Sequence, residues 1–329
     1  MRRPSTAVQL GALAAAAVLV IAATSLLGYQ SIGWRDVLGD GPRAVIYWGF
    51  RVPRTLLAAV AGAGLSVGGV ILQSIFRNPL AEPYTVGVAS GAALGAAAGF
   101  LAGWGGTALL GIPRLTLLAF AAALVTMGVV YVVYRLCGRG QVTRLLLAGL
   151  CVAYVCSSGI LLATYLGDRV VTNDILVWTV GSLGLHRPRA ALEILVILVP
   201  VALYALSQHR ALDLLHLGEA LAASRGVRVE ATLWSAFAAV GVLTAAIVAN
   251  CGPIAFVGLM VPHAARALVG PATLRLLVVA ALLGAAFLAL CDGLARSLVA
   301  ELPVGVVTNI LGAVFFLYLL ARGGDRHAA

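Results

Sequence analysis

Long apolar runs recur along the 329 residues, separated by short stretches that hold nearly all the charge. Runs at about 8–28, 54–75, 84–102, 115–134, 145–166, 192–206, 231–249, 253–268, 274–291 and 303–321 predict ten helices. A hydrocarbon layer about 30 Å thick is crossed by roughly 20 apolar residues in a helix, so most of these runs have spanning length. The run at 192–206 is short. The uncharged stretch 231–265 is long for one helix, and Asn250-Cys251-Gly252-Pro253 interrupts it. Pro303 suits the first turn of the last helix. The runs on either side of the polar turn 77–83 form a membrane hairpin rich in small residues, among them Gly62, Gly64, Gly68, Gly69, Gly87, Ser90, Gly91 and Gly95. Such residues let helix backbones approach closely.

The segments between the runs differ in character. Residues 29–49 read as a loop with Trp34, Arg35, Asp36, Asp40 and Arg43, and Trp48 as an interface aromatic. Residues 103–113 read as a turn. The amphipathic stretch DILVWTVGSLG at 174–184 predicts a short interfacial or half-entering helix. Residues 207–230 are the most polar part of the second half. There Leu212, Leu214, Leu215, Leu217 and Leu221 make an apolar stripe bordered by Asp213, His216, Glu219, Arg225 and Arg228. The expected fold is an all-α polytopic membrane protein of about ten spans, one domain over 1–329. An Asn-Pro break follows an apolar helix in each half, near Asn78 and near Asn250, which hints at two repeat-like halves.

Composition agrees with a membrane solvent. The chain is 62% hydrophobic and only 10% charged, where a soluble domain carries about 25% charge. The net charge of +10 would suggest nucleic acid in a soluble protein. Here the basic residues sit between apolar runs, so they read as topological signal and headgroup contact, with no nucleic-acid partner. All 22 basic residues are arginine. Without a lysine the chain holds no Walker A loop, and no paired acids, nucleophile elbow or redox motif marks an enzyme. The five cysteines read as small apolar fillers, and the histidines lack ligand spacing. The start of the chain reads as a retained first span and not a cleaved signal. With ten spans and the N-terminus inside, thirteen arginines fall inside and nine outside, which favours both termini in the cytoplasm.

Six ordered pieces carry a resemblance: RVPR at 51–54, GVILQSIFRNPLAEPYTVGVASGAALGA at 69–96, LLLAG at 145–149, LHLGEALAASRGV at 215–227, GPIAFVGLMVPHAARALVG at 252–270 and ELPVGVVTNILGAVFFLYLL at 301–320. They resemble the FecCD family, the permease subunits of type II ABC importers for vitamin B12, haem and iron–siderophore complexes. The resemblance implies a homodimer in the bacterial inner membrane with a central path along the fifth and tenth spans. It implies two ATPase subunits, which use ATP and magnesium, on the cytoplasmic side, and a periplasmic or lipid-anchored substrate-binding protein outside. It also implies repeat halves at about 54–167 and 231–321, with a cytoplasmic coupling loop at 207–230. The chain itself is expected to hold no cofactor and no metal, and its cargo is expected to be an iron–siderophore or haem, with cobalamin next.

Three groups of residues inherit roles from the resemblance. Leu215, Gly218, Glu219, Ala222, Arg225 and Gly226 match the helices that dock on the ATPase; by pattern alone they would form a helix lying on headgroups. Arg51, Arg54 and Arg296 match a basic rim that pairs with acids of the binding protein; alone, each is a helix-end arginine reaching headgroups. Val142 and Thr143 match the cytoplasmic gate; alone, Thr143 is an N-cap. An ion-coupled secondary transporter is the alternative, but it calls for ionisable residues in mid-span, which are scarce here.

Overall fold

The computed structural model describes residues 6–29, 32–39, 41–109, 111–136, 142–184, 187–298 and 302–324. Among them, seven helices are long and apolar enough to cross a membrane, and three shorter apolar helices bring the number of apolar helices to ten. In chain order the helices are α1 (Thr6–Leu26), α2 (Trp34–Val37), α3 (Pro42–Ile46), α4 (Val52–Phe76), α5 (Val88–Leu101), α6 (Arg114–Leu136), α7 (Val142–Leu166), α8 (Arg169–Thr179), α9 (Ala190–Ser207), α10 (His209–Leu217), α11 (Glu219–Ser224), α12 (Val229–Cys251), α13 (Val257–Val269), α14 (Thr273–Ser297) and α15 (Val304–Gly324). A two-stranded hairpin, Ala108–Leu109 with Ile112–Pro113, closes the turn between α5 and α6.

The centre of the bundle is α4. Nearly every residue from Arg54 to Phe76 is buried, and α14, α12, α13 and α9 pack around it. Small residues allow this. A Cβ on Gly69 would stand 1.9 Å from the carbonyl oxygen of Gly258 in α13, so α4 and α13 touch backbone to backbone. Gly62 and Gly284 bring α4 and α14 together in the same way. By contrast, α6 and α7 expose much of their surface, with Val125, Val129 and Val132 on α6 and Leu147, Tyr154, Val155, Leu161 and Tyr165 on α7.

The first hairpin expected from the apolar runs is present, but its upper helix starts earlier. Residues 42–49, read from sequence as the end of a loop, are helical: α3 passes through a π-helical turn, Tyr47–Arg51, straight into α4. Pro42 at the first turn costs no hydrogen bond there.

Both breaks expected near Asn78 and Asn250 occur, and they meet. After α4 the chain turns back along it, so that Pro83 lies beside Gly68 and Gly258 before α5 begins. After α12 the chain turns at Gly252 and reaches Phe256, whose φ of 69° is rare for a residue with a side chain. The backbone N–H of Phe256 donates to Glu82 Oε2 at 2.9 Å, which ties the first break to the second at the start of α13. Neither α5, of 14 residues, nor α13, of 13, is long enough to cross the layer by itself.

The amphipathic stretch after α7 forms α8, beginning at Arg169 and thus five residues before the expected start. Asp168 caps it, its Oδ1 accepting from the Val171 N–H at 2.8 Å, and Ile175 and Trp178 anchor it inward. Asp168→Ala is expected to cost about 1 kcal/mol of local stability. Hydrogen exchange should then quicken at the amides of the first turn of α8 and leave those of α4 unchanged.

Candidate functional site

Two ends of the bundle carry the residues singled out by sequence. At one end α10 and α11 lie across the ends of α4, α12 and α14. The expected single amphipathic helix is broken at Gly218, whose φ of 148° and ψ of 146° end α10. Its N–H reaches back to the carbonyls of Leu214 and Leu215 at 3.1 Å each, and α11 sets out in a new direction. A second turn at Gly226, φ 82°, ends α11, with the Val227 N–H returning to Ala222 O at 3.0 Å.

Rotation along α10 and the break after it together sort the apolar stripe into two sets. Leu212, Leu215 and Ala222 are buried against the bundle, whereas Leu217 and Leu221 point outward together with His216 and Arg225. Of the six residues expected to dock a partner, Leu215 and Ala222 therefore hold the helices down and Gly218 and Gly226 shape them. Glu219 pairs with Arg77 at 3.6 Å across to the end of α4. Arg225 is on the outer surface. Arg77 was not singled out from sequence for this pairing; its left-handed φ of 48° closes α4 and turns the side chain toward α11. A further tie, also missed, joins Asp213 of α10 to Thr273 at the start of α14: Asp213 Oδ1 accepts from the Thr273 N–H at 2.9 Å and from its hydroxyl at 2.5 Å.

At the opposite end the three arginines expected to form an exposed rim are buried, at 5–8% exposure. Two of them, Arg54 and Arg296, converge on a carboxylate that sequence reading passed over. Asp292 of α14 accepts from Arg54 Nε at 2.9 Å through Oδ1, and its Oδ2 lies 3.0 Å from Arg296 Nε. Arg296 Nη2 also donates to Thr55 Oγ1 at 3.0 Å and to Thr24 O at 3.3 Å. Arg51 Nη1 donates to Leu26 O at 2.8 Å. The correction has a plain cause. Three guanidinium groups at the ends of packed apolar helices find acceptors inside the bundle, and for Arg54 and Arg296 a buried carboxylate offsets the cost of burial. The result is a hub that ties α1, α4 and α14 together. The signal was present in CDGLARSL, where Asp292 stands four residues before Arg296 at the end of an apolar run.

Around this hub the exposed basic residues are others: Arg35, Arg114, Arg169 and Arg189. Arg43 is also exposed but pairs with Asp36 at 3.2 Å. The Gly33 N–H and the Arg43 guanidinium hold that carboxyl below its usual range. Arg187 makes a two-pronged pair with Glu193, at 3.1 and 2.8 Å, and also reaches Asn250. A cleft of about 420 Å³ opens at this end between α8, the end of α5 and the turn after α12, lined in part by Trp178, Ser182 and Asp174.

Val142 and Thr143, the expected gate, open α7; their side chains, and residues 137–141 before them, lie outside the described residues. His263 packs edge-on against Phe315 of α15, with 5.7 Å between ring centroids. Among the described residues no group of three or more His, Cys, Asp or Glu is placed to hold a metal ion.

The model of the FecCD transport family matches residues 15–322. The chain belongs to the FecCD transport family. It is thus a membrane transport permease and not an enzyme. Two curated relatives are the hemin transport system permease protein HmuU of Yersinia pestis and the Fe(3+) dicitrate transport system permease protein FecD of Escherichia coli K12. HmuU is 34% identical over 324 residues, 97% of each chain. FecD is 37% identical over 309 residues, which is 90% of this chain and 92% of that one. A solved structure described as an inward-facing conformation of a metal-chelate type ABC transporter superposes with a TM-score of 0.85 at 30% identity, covering 95% of this chain and 98% of the other. This FecCD permease therefore shares its helix arrangement with an ABC transporter over nearly its whole length.

Proposed function

We propose that two copies of this permease form the path of an ATP-driven importer for an iron chelate, haem before ferric carboxylates or siderophores, and cobalamin after them. The observation that carries the reading is the α10–α11 pair. One face is fixed to three core helices, and the other presents His216, Leu217, Leu221 and Arg225. A short, braced, amphipathic pair is what an ATPase needs to push against, because a loose loop would absorb the movement. We place this end and both termini in the cytoplasm. Two ATPase subunits bind there and hydrolyse ATP with magnesium.

The hub end faces outward and receives a substrate-binding protein. Exposed Arg35, Arg114, Arg169 and Arg189 supply the field that steers an acidic partner. Arg51, Arg54 and Arg296 would reach a partner's carboxylates only by exchanging them for Asp292 and backbone carbonyls, so they act after the encounter. The apolar outward faces of α7 and α15, which include Tyr154 and Leu161 on one and Ile310, Val314 and Leu317 on the other, meet their copies across the path. Val142 and Thr143 close its cytoplasmic mouth. The halves 54–167 and 231–321 act as repeats around it, with 207–230 as the coupling segment.

Uptake into proteoliposomes tests the proposal. The vesicles hold this permease with its ATPase, enclosed ATP and the loaded binding protein outside. Haem, ferric citrate, a ferric siderophore and cobalamin are offered in turn. ATP-dependent accumulation of haem or another iron chelate is the expected result. Accumulation driven by an ion gradient, without ATP or the ATPase, would overturn it in favour of secondary transport.

A further inference from the structure

The strongest physical path between the two ends runs through α10, α14 and α4. It starts at Asp213. The first N–H groups of α14 have no partner within their own helix, and residue 272 before them is an alanine with no side-chain oxygen to offer. The cap comes from α10, sixty residues earlier: one carboxylate oxygen takes both the N–H and the hydroxyl of Thr273. Thr273 is buried, at 2% exposure. Two donors on one oxygen fix both the distance and the rotation of α10 relative to α14. The other tie from this end, Glu219 to Arg77, is longer and about a third to a half exposed, so it contributes little.

From Thr273 the helix continues without a break for 25 residues, about 37 Å. Along its middle it meets α4 through Gly62 and Gly284. A Cβ on either would fall within 2.4 Å of the other's carbonyl oxygen, and Ser66 fills the remaining space beside Gly284. No rotamer at such a contact is able to change and absorb a displacement. At the far end Asp292 of the same helix holds Arg54 of α4. The two helices are thus joined at their middle and at the hub, and α10 is pinned to the remaining end.

We infer that Asp213 is a positioning residue of the transport cycle: it makes α10 move as one body with α14 and α4, so that displacement by the ATPase reaches the hub undiminished. This rests on α10 and α11 being the seat of the ATPase. The residue does not touch cargo or nucleotide; it acts through Thr273.

The test uses the assembled complex of permease, ATPase and binding protein in proteoliposomes, with three readouts: co-purification of the ATPase, the ratio of ATP hydrolysis with and without loaded binding protein, and cargo uptake. Asp213→Leu is expected to assemble and keep basal hydrolysis. Its stimulation by the binding protein should vanish and its uptake should fall at least about tenfold, the scale of one lost charge-assisted hydrogen bond. Asp213→Asn keeps an acceptor oxygen for both donors and should recover most of the stimulation; a residue that mattered only for folding would alter yield and leave the ratio alone. If Asp213→Leu fails to assemble, Thr273→Val decides: it removes the hydroxyl alone, and reduced stimulation at normal assembly supports the inference. Wild-type stimulation and uptake in Asp213→Leu, or in an assembled Thr273→Val when the leucine variant is lost, would overturn it, as would an asparagine variant as impaired as the leucine one. Failure of the wild-type permease to bind an ATPase would instead remove the functional reading beneath it.

Discussion

Asp292→Leu is expected to destabilise the protein by about 3–5 kcal/mol, the cost of leaving a buried charge without its counter-ion. Arg54 and Arg296 would both lose the carboxylate that holds them, at 7% and 5% exposure, in a place where water does not replace it. The loss should appear as a marked fall in thermal unfolding temperature in detergent and in the amount of intact permease recovered from membranes. Asp292→Asn keeps the shape and an acceptor but not the charge, so it should fall between. The double variant Arg54→Leu with Asp292→Leu removes a matched pair, and the two losses should be well short of additive. Melting of Asp292→Leu within about one degree of wild type would mean that the hub contributes nothing to stability.

The second large effect is steric. Gly69→Val places branched carbon where the Gly258 carbonyl already stands, 1.9 Å from the Cβ position, with the Gly258 carbonyl carbon at 2.7 Å and its Cα at 2.9 Å. A side chain in the way would swing aside, but a backbone must translate, carrying α13 away from α4 and loosening the Glu82 cap on Phe256. The expected loss is at or above the upper end of the 1–3 kcal/mol that overpacking costs in ordinary cores, about 3 kcal/mol. Gly128→Ala is the matched control. Gly128 lies in α6 with nothing within 4 Å of its Cβ position, so the added methyl should be neutral or slightly stabilising. Equal melting temperatures for Gly69→Val and wild type would refute the backbone contact.

The helices were legible because the membrane imposes a simple rule: the backbone has to satisfy itself over the width of the apolar layer. The expected run at 231–249 became Val229–Cys251, and that at 274–291 became Thr273–Ser297. Helix ends extended wherever capping or packing beyond the apolar run allowed. The break at Asn250 to Pro253 was legible because Gly252 and Pro253 stand side by side after an overlong apolar run; a lone proline is weaker punctuation, and Pro200 and Pro262 both remain inside helices. The position of the arginines was not. A charge at the end of an apolar run looks the same whether it meets headgroups or a carboxylate on a helix 238 residues away, as Arg54 and Asp292 are. The split of the stripe at 212–221 was only half hidden. Leu215 and Leu217 stand two residues apart on α10, about 200° around the helix, so rotation alone turns one in and the other out. The turn at Gly218 then resets the register, and only it decides that on α11 Ala222 faces in while Leu221 faces out.

The two half-length helices set an electrical condition on the path. Each starts inside the bundle, and the starting end of a helix carries about half a positive charge. The first turn of α5 lies against Gly149 of α7, and Phe256 at the first turn of α13 lies against Gly312 of α15. Glu82 offsets the second of these ends, while α5 has no acidic residue in its first turn. The wall behind α7 is therefore positive at depth. With the proposed path along α7 and α15, a cation passing there would meet a barrier that a neutral or anionic chelate does not.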